Sequence, residues 1–189
     1  MATSKVAISN LALQKLGAKR IESLSQDSPN AKSMNAAYAA VRDAELRRYT
    51  WGFSIKRESI AADSVDSVWG DWNRFSKPND FLRLIRDDES GSTVDWRTEG
   101  LYILSKTAAP LEIRYVASVD DPNYYDSLFI EAFACKLAWQ CCKEITGSSD
   151  LKATLMDDFS TAVAEAKRVG AIEKEAQEFP EDDWVSARL

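Results

Sequence analysis

The segment 38–57 constrains the fold most, because its pattern changes from helical to extended within a few residues. Its sequence is YAAVRDAELRRYTWGFSIKR: small residues at helical spacing, then a basic turn, then an aromatic-rich strand pattern. The candidate contact residues here are Arg42, Arg47, Arg48 and Trp51. Arginine offers several planar donors, and tryptophan offers a large rigid apolar surface. We therefore predict a packed junction or a protein–protein contact, and a subunit–subunit interface if the chain forms oligomers.

The composition fits one core with an inserted subdomain. The chain has 189 residues, of which 45% are hydrophobic and 29% are charged. No apolar run approaches the roughly 20 residues needed to span a bilayer, so we expect no membrane insertion. Residues 1–17 lack the long apolar block of a secretory signal. The net charge of −6 disfavours tight DNA binding, although DNA can slide past an acidic wall.

Four helices are predicted from apolar spacing and from end signals. The first spans residues 3–16, and Gly17 ends it. The second spans residues 29–48, with Ser28 as its N-cap and proline at its first position. The third runs from about Asp126 to Gly147 and contains all three cysteines, which we expect to be reduced because neighbours on one helix rarely reach disulfide geometry. The fourth begins with Ser149 or Asp150 as its cap and continues to about residue 178.

The middle of the chain favours strands. Apolar and polar residues alternate in the segments 53–59, 81–86 and 111–116, which predicts strands. The segments 93–98 and 101–105 flank a predicted tight turn at Glu99-Gly100 and are predicted to form a hairpin. Together they predict one small antiparallel sheet. The loop at 63–78 interrupts this sheet and carries Trp69 and Trp72, which either cover a sheet edge or contact another subunit.

The predicted fold class is therefore α+β and mainly helical. It is a four-helix bundle with a small antiparallel β-sheet inserted between helices two and three, followed by an extended C-terminal tail. Residues 1–52 and 120–178 form the helical domain, residues 53–119 form the strand-rich subdomain, and residues 179–189 form the tail. The tail carries Phe179, Trp184, Arg188 and Leu189, and is either a docking peptide or a frayed end.

The sequence shows no pattern typical of catalysis or of metal binding. The chain has no histidine, which removes the commonest general base and most zinc ligands. It has neither the phosphate-binding and dinucleotide-binding glycine patterns nor the Gly-x-Ser-x-Gly elbow. Acidic pairs such as Asp120-Asp121 and Asp157-Asp158 are interpreted as solvated surface carboxylates. We therefore predict that the chain is not an enzyme and has neither a cofactor nor a metal site.

Four segments together resemble the tail tubular protein A family of short-tailed bacteriophages and prophages, the head–tail adaptors below the portal. They are AISNLALQKLGAKRIESLSQDS, VRDAELRRYTWGFSIKR, the phrase FLRLIRD followed by WRTEGLYIL, and DDPNYYDSLFIEAFACKLAWQCC. Their order and spacing also match, so the resemblance covers most of the chain. Each segment is a pattern likeness without a catalytic signature.

The resemblance implies a structural connector in the virion, made in the host cytoplasm. Its subunits would form a dodecameric ring under the portal protein, matching the portal's twelvefold symmetry. The nozzle protein, which is tail tubular protein B-like, would attach on the far side, and double-stranded DNA would pass through the bore without sequence-specific binding. Arg42, Arg47, Arg48 and Trp51 would then serve contacts between subunits. We expect the tail residues Phe179, Trp184, Arg188 and Leu189 to dock on the portal.

Two other function classes stay open at this point. One is a tail enzyme that degrades peptidoglycan, which requires a pair of cleft carboxylates, one of them with a raised pKa. The other is a cytosolic helical module that binds a partner protein.

Overall fold

The computed structural model describes residues 3–64, 71–85 and 95–172. Within these ranges the chain has a mixed α+β fold of four α-helices and two three-stranded antiparallel sheets. The helices are α1 (Lys5–Lys15), α2 (Pro29–Arg48), α3 (Ser127–Thr146) and α4 (Ser149–Ile172). The strands are β1 (Ile55–Ile60), β2 (Asn73–Ser76), β3 (Phe81–Ile85), β4 (Trp96–Glu99), β5 (Tyr102–Ser105) and β6 (Leu111–Ala117). None of the helices in the described ranges combines the length and the hydrophobicity that crossing a membrane requires.

The end of α1 and the cap of α2 confirm the sequence predictions, whereas α1 begins at Lys5 and not at residue 3. The Ser4 hydroxyl accepts a hydrogen bond from the amide of Ala7 at 3.0 Å and so caps α1. Gly17 follows α1 with a φ of 65°, a left-handed conformation that favours glycine. The Ser28 hydroxyl caps α2 by accepting from the amide of Ala31 at 3.3 Å. Both caps satisfy amide groups that an uncapped helix end leaves without partners.

The ends of α3 are also as predicted, but the cap of α4 is not. The Asp126 carboxylate accepts from the amides of Leu128 and Phe129 at 2.8 and 3.2 Å. Gly147 ends α3 with a φ of 69°. The prediction that Ser149 or Asp150 caps α4 was wrong, because the Ser148 hydroxyl accepts from the amide of Leu151 at 3.2 Å. Three consecutive residues suit a cap here, and the cap is Ser148, the first residue after the left-handed Gly147, so that α4 begins at Ser149. The predicted end near residue 178 lies outside the described residues.

The helical core is built around α3. Helices α1, α2 and α4 each pack against it. Buried residues recur along α3 at intervals of four: Phe129, Phe133, Leu137 and Cys141. Cys135 and Cys142 are buried on the same helix, and all three thiols are free, as predicted. The arrangement of the four helices as a regular bundle stays a prediction.

The strands form two sheets, so the prediction of one sheet was wrong. The strand orders are β1-β6-β3 and β2-β5-β4, and every pairing is antiparallel. The second sheet includes β2, which lies inside the segment predicted as the loop 63–78. This strand was missed because it has only four residues and buries only Phe75. The tight turn between β4 and β5 is confirmed, with Gly100 at a φ of 53°.

The strand β6 joins the two cores of the protein. Leu111, Ile113 and Tyr115 on one face pack with Phe75 and Ile103 of the second sheet. On the opposite face, Val116 belongs to the helical core. The sheet β1-β6-β3 therefore lies between the second sheet and the helices, and the start of β1 adjoins the C-terminal end of α2.

Gly147→Ala is expected to lower the free energy of unfolding by about 1–2 kcal/mol. The left-handed backbone at this position disfavours any residue with a Cβ, although the added atom would meet nothing within 4 Å. The matched control is Gly170→Ala, which has similar room inside α4 and an ordinary helical backbone. Because alanine is the better helix former, the control is expected to raise the free energy of unfolding by up to about 1 kcal/mol. Urea unfolding followed by circular dichroism measures both, and effects of the same sign would contradict this account.

Candidate functional site

The C-terminal half of α2 and the chain entering β1 form a region rich in polar and aromatic contacts. We call the polar group around the buried Arg42 side chain the Arg42 cluster. It comprises Lys5 of α1, Arg42 and Asp43 of α2, and Ser118 and Asp120 of the connection between β6 and α3. Arg42 is 6% exposed. The Arg42 guanidinium therefore joins α2 to the connection between β6 and α3, and Lys5 of α1 joins the same cluster through Asp120.

Each of the three nitrogens of the Arg42 guanidinium donates a hydrogen bond within its own chain. Its Nε donates to Asp43 Oδ1 at 2.9 Å, Nη2 donates to Ser118 Oγ at 3.2 Å, and Nη1 donates to Asp120 Oδ1. The Ser118 hydroxyl in turn donates to Asp43 Oδ1 at 2.7 Å. Lys5 Nζ donates to both oxygens of Asp120, at 2.8 and 2.7 Å. Hydrogen bonds from Lys5, and then from Arg42, lower the pKa of Asp120 despite partial burial.

Arg47 and Arg48 lie at the end of α2 and are exposed. Arg47 Nη1 donates to the carbonyl of Leu82, and Arg83 Nε donates to the carbonyl of Arg47 at 3.0 Å. These two bonds connect α2 to β3. The side chain of Arg48 is 43% exposed and lies 3.5 Å from a carboxylate oxygen of Glu45. Both predicted interface arginines thus keep much of their surface free for other contacts.

Trp51 is buried at the turn between α2 and β1, with 9% of its surface exposed. Its indole Nε1 donates to the carbonyl of Glu45 at 3.1 Å. Its ring packs edge-on against Phe129 of α3, with centroids 4.9 Å apart, and lies next to Phe53 and Tyr49. Such aromatic pairs contribute about 0.5–1.5 kcal/mol each beyond the area they bury. Trp51 thus contributes to the packed junction that the sequence predicts.

Beside Trp51 lies an open groove of about 750 Å³, which we call the junction groove. It is bounded by the end of α2, the start of β1, Arg83 of β3, the turn before α3 and the last turns of α4. Its walls include Arg48, Trp51, Phe53, Arg83, Tyr124 and Lys167. Aromatic and basic side chains thus line the same depression. An acidic segment that carries aromatic residues would suit this surface.

Trp72 lies on the second sheet, away from the Arg42 cluster. The guanidinium of Arg97 lies 4.8 Å from its ring centroid, and Lys106 Nζ lies 5.4 Å from it. Trp72 therefore packs on the sheet, as one of the two sequence alternatives proposed. Trp69 lies outside the described residues, as do Phe179, Trp184, Arg188 and Leu189 of the predicted docking tail.

The described residues bring together few groups of catalytic type. Among residues 3–64, 71–85 and 95–172, no cluster of three or more cysteines and carboxylates could bind a metal ion. The peptidoglycan-enzyme alternative requires two cleft carboxylates, one with a raised pKa. Glu58 and Asp80 both accept from the Tyr115 hydroxyl, at 3.0 and 2.9 Å. Burial alone would raise the pKa of Asp80, but hydrogen bonds from Lys56 and Tyr115 outweigh this effect and lower the pKa. The pKa of Asp80 is thus shifted in the direction opposite to the one that this alternative requires.

Several members of the site carry no signal in the sequence. Asp120 was interpreted as a solvated surface carboxylate, but it binds Lys5 and Arg42. Arg83 and Lys167 reach the junction groove from distant parts of the chain, and no local signal marks them. Glu45 is also unexpected: it is 3% exposed, and neither carboxylate oxygen has a hydrogen-bond partner among the described residues. Burial raises the pKa of Glu45, and nearby Arg48 offsets part of that effect.

No protein-family model and no curated protein matches the chain. The arguments for its function therefore come from its own residues and from the segment pattern described above.

Arg42→Met is expected to lower the free energy of unfolding by about 2 kcal/mol, because it removes the charge-assisted hydrogen bonds that join α2 to Ser118 and Asp120 in the connection between β6 and α3. Asp120 regains water, since its side chain is 69% exposed, and this limits the loss. The control is Arg20→Met, because Arg20 is exposed and contacts only the Gln14 side chain, at 3.3 Å. Its effect should stay within about 0.5 kcal/mol. Chemical denaturation compares the two, and equal effects would show that the Arg42 cluster adds no stability.

Asp120→Asn is expected to make the protein less stable at pH 7, with the gap to the unmodified chain closing in acid. The folded pKa of Asp120 lies below its unfolded value of about 3.9. Its carboxylate therefore contributes stability that is complete above about pH 4 and is lost as the pH falls through the folded pKa. Asp157→Asn on the exposed side of α4 is the control. Unfolding midpoints measured from pH 7 to pH 3 check this, and a gap independent of pH would contradict it.

Proposed function

We propose that this protein is a structural head–tail connector of a bacteriophage virion, assembling as a dodecameric ring under the portal protein. The observation that carries the proposal on the structural side is the junction of the helices with the β1-β6-β3 sheet. Buried Arg42 and Trp51 fix two layers together there, while Arg47 and Arg48 remain exposed beside them. The resemblance to the tail tubular protein A family supplies the identity of the partners.

In this proposal the four predicted interface residues divide their roles. Arg42 and Trp51 are used within the chain and give the subunit a fixed shape. Arg47 and Arg48 face outward and pair with carboxylates of the neighbouring subunit. Arginine suits this role because its planar donors can bind a carboxylate in two places at once.

A closed ring requires each subunit to present two different, complementary surfaces. The exposed acids Glu131, Asp158 and Glu165 line a second depression between α3 and α4, together with Lys15 of α1, which pairs with Glu131 at 3.5 Å. We assign this acidic surface as the partner of Arg47 and Arg48 on the next copy. In the proposed subunit, the helices form a four-helix bundle, and the two surfaces lie on its flanks.

The remaining contacts of the proposed connector follow the same reasoning. The tail residues Phe179, Trp184, Arg188 and Leu189 anchor each copy on the portal, and the nozzle protein attaches on the opposite side. Double-stranded DNA passes through the bore without sequence-specific binding. The protein acts in the virion, at the head–tail interface, after synthesis in the host cytoplasm. No specific observation favours the enzyme or the helical module over this reading.

The experiment is reconstitution with the portal protein encoded in the same genome, with the mass of the complex as the readout. The unmodified chain is expected to add twelve copies to the portal. Arg47→Glu with Arg48→Glu should stop ring closure, because both contacts become repulsive. Adding Asp158→Lys and Glu165→Lys should restore it, because the charges are exchanged across the contact.

Two controls separate the parts of this proposal. Lys19→Glu with Arg20→Glu makes the same change of charge at the end of α1 and should leave the ring intact. Removal of residues 180–189 should abolish co-sedimentation with the portal while leaving the fold unchanged. If the unmodified chain fails to bind the portal, the connector function is refuted. If it binds but the exchange of charges restores nothing, only the assigned pair of surfaces is refuted.

A further inference from the structure

The junction groove is a surface that the described part of the chain leaves uncovered. Tyr124 at its rim is 68% exposed, and Ile172, which follows the groove wall at the end of α4, is 74% exposed. Exposed apolar side chains of this size beside one depression are typical of a binding surface. Three cations, Arg48, Arg83 and Lys167, line the groove together with the carboxylate of Asp126, which accepts from amides of α3, so the lining carries more positive than negative charge.

These cations have few carboxylate partners. Among the described residues, neither Arg83 nor Lys167 forms a salt bridge. Lys167 Nζ lies 4.0 Å from the ring centroid of Tyr49. Arg83 donates from Nε to the Arg47 carbonyl and from Nη2 to the Thr50 hydroxyl, and among the described residues its Nη1 donates no hydrogen bond. A carboxylate-bearing segment would complete this set.

Residues 173–189 of the same chain have the matching chemistry. Their sequence, EKEAQEFPEDDWVSARL, contains six acidic and two basic residues, with Phe179 and Trp184 among the acids. This segment alone contributes −4 to the chain's net charge of −6. The acids suit the groove's cations, and the two aromatic rings suit its apolar walls.

We propose that, in the free protein, residues 173–189 bind in the junction groove of their own chain through contacts of Trp184 and its acidic neighbours with Trp51, Phe53, Arg83 and Lys167. The segment starts one residue beyond Ile172, at the edge of the groove. Its 17 residues can extend to about 55 Å, which is ample for a return to the groove. A short tether gives it an effective concentration in the millimolar range, far above that of another copy's segment in dilute solution.

This proposal concerns the free chain and stands whether or not the protein is a connector. If it is a connector, portal binding would have to release the segment from the groove. The test below uses no portal, so its failure leaves the proposed function untouched.

The experiment is paramagnetic broadening with a nitroxide attached to the thiol introduced by Ser186→Cys. Labelling is selective because Cys135, Cys141 and Cys142 are between 0% and 3% exposed. Amide signals of Gly52 and Gly170 in the groove walls are expected to lose most of their intensity. Signals of Gly17 and Gly100, which lie outside the groove, should keep theirs.

Variants and a mixed sample decide between the outcomes. Arg83→Glu with Lys167→Glu should restore the groove signals, while Lys19→Glu with Arg20→Glu should not. In the main experiment each chain carries both the nitroxide and the isotope label that makes its amide signals visible. In an equimolar mixture, half of the chains carry only the nitroxide and the other half only the isotope label, so only contacts between copies broaden signals. Broadening of equal strength in the mixture would show that another copy's segment occupies the groove and would overturn the proposal. The proposal would also be overturned if the amide signals of Gly52 and Gly170 were not broadened in chains that carry both the nitroxide and the isotope label.

Discussion

The helix α3 presents apolar side chains on several sides and must be covered from three directions. Its buried residues run from Phe129 near the start to Cys142 near the end. A surface helix needs one packed face, but a helix that is apolar on several sides is stable only when surrounded. Helices α1, α2 and α4 provide that cover, and Trp51 and Val116 extend it at the sheet end. The positions of the other helices and of the first sheet follow from this requirement.

Covering α3 with both helices and a sheet creates a boundary where polar groups become buried. Hydrophobic contact has no preferred direction, so it cannot by itself fix the angle at which the sheet meets α2. The Arg42 cluster supplies directed bonds at this point, and the reciprocal contacts of Arg47 and Arg83 with backbone carbonyls supply others. A subunit that must fit identical neighbours needs such fixed angles, because small errors accumulate around a ring. This is the physical link between the junction and the connector proposal.

Sequence reasoning succeeded where the signal is local. Ser28 before Pro29, Asp126, and the left-handed Gly147 each act within one helical turn, and the structure has all three as predicted. It failed where the cause lies far along the chain. Arg42 binds Asp120 across 78 positions, so Asp120 alone gave no sign of its partner. Strand β2 exists because β5 pairs with it, and its own four residues have too little alternation to reveal it. The junction groove likewise depends on side chains from α2, β3 and α4 that only the fold brings together.

The distribution of charge changes what the net charge means. An evenly acidic protein would repel DNA from every surface, and a net charge of −6 taken alone suggests such a protein. Residues 173–189 contribute −4, so residues 1–172 together contribute only −2. The body of the protein is therefore close to neutral, with a basic groove at one point and an acidic segment attached beside it. Opposite charges joined by a short tether attract each other more strongly at low salt, since screening weakens the attraction between exposed charges. If residues 173–189 bind in the junction groove as we propose, a contact within the chain accounts for most of its acidity without any requirement from a DNA channel.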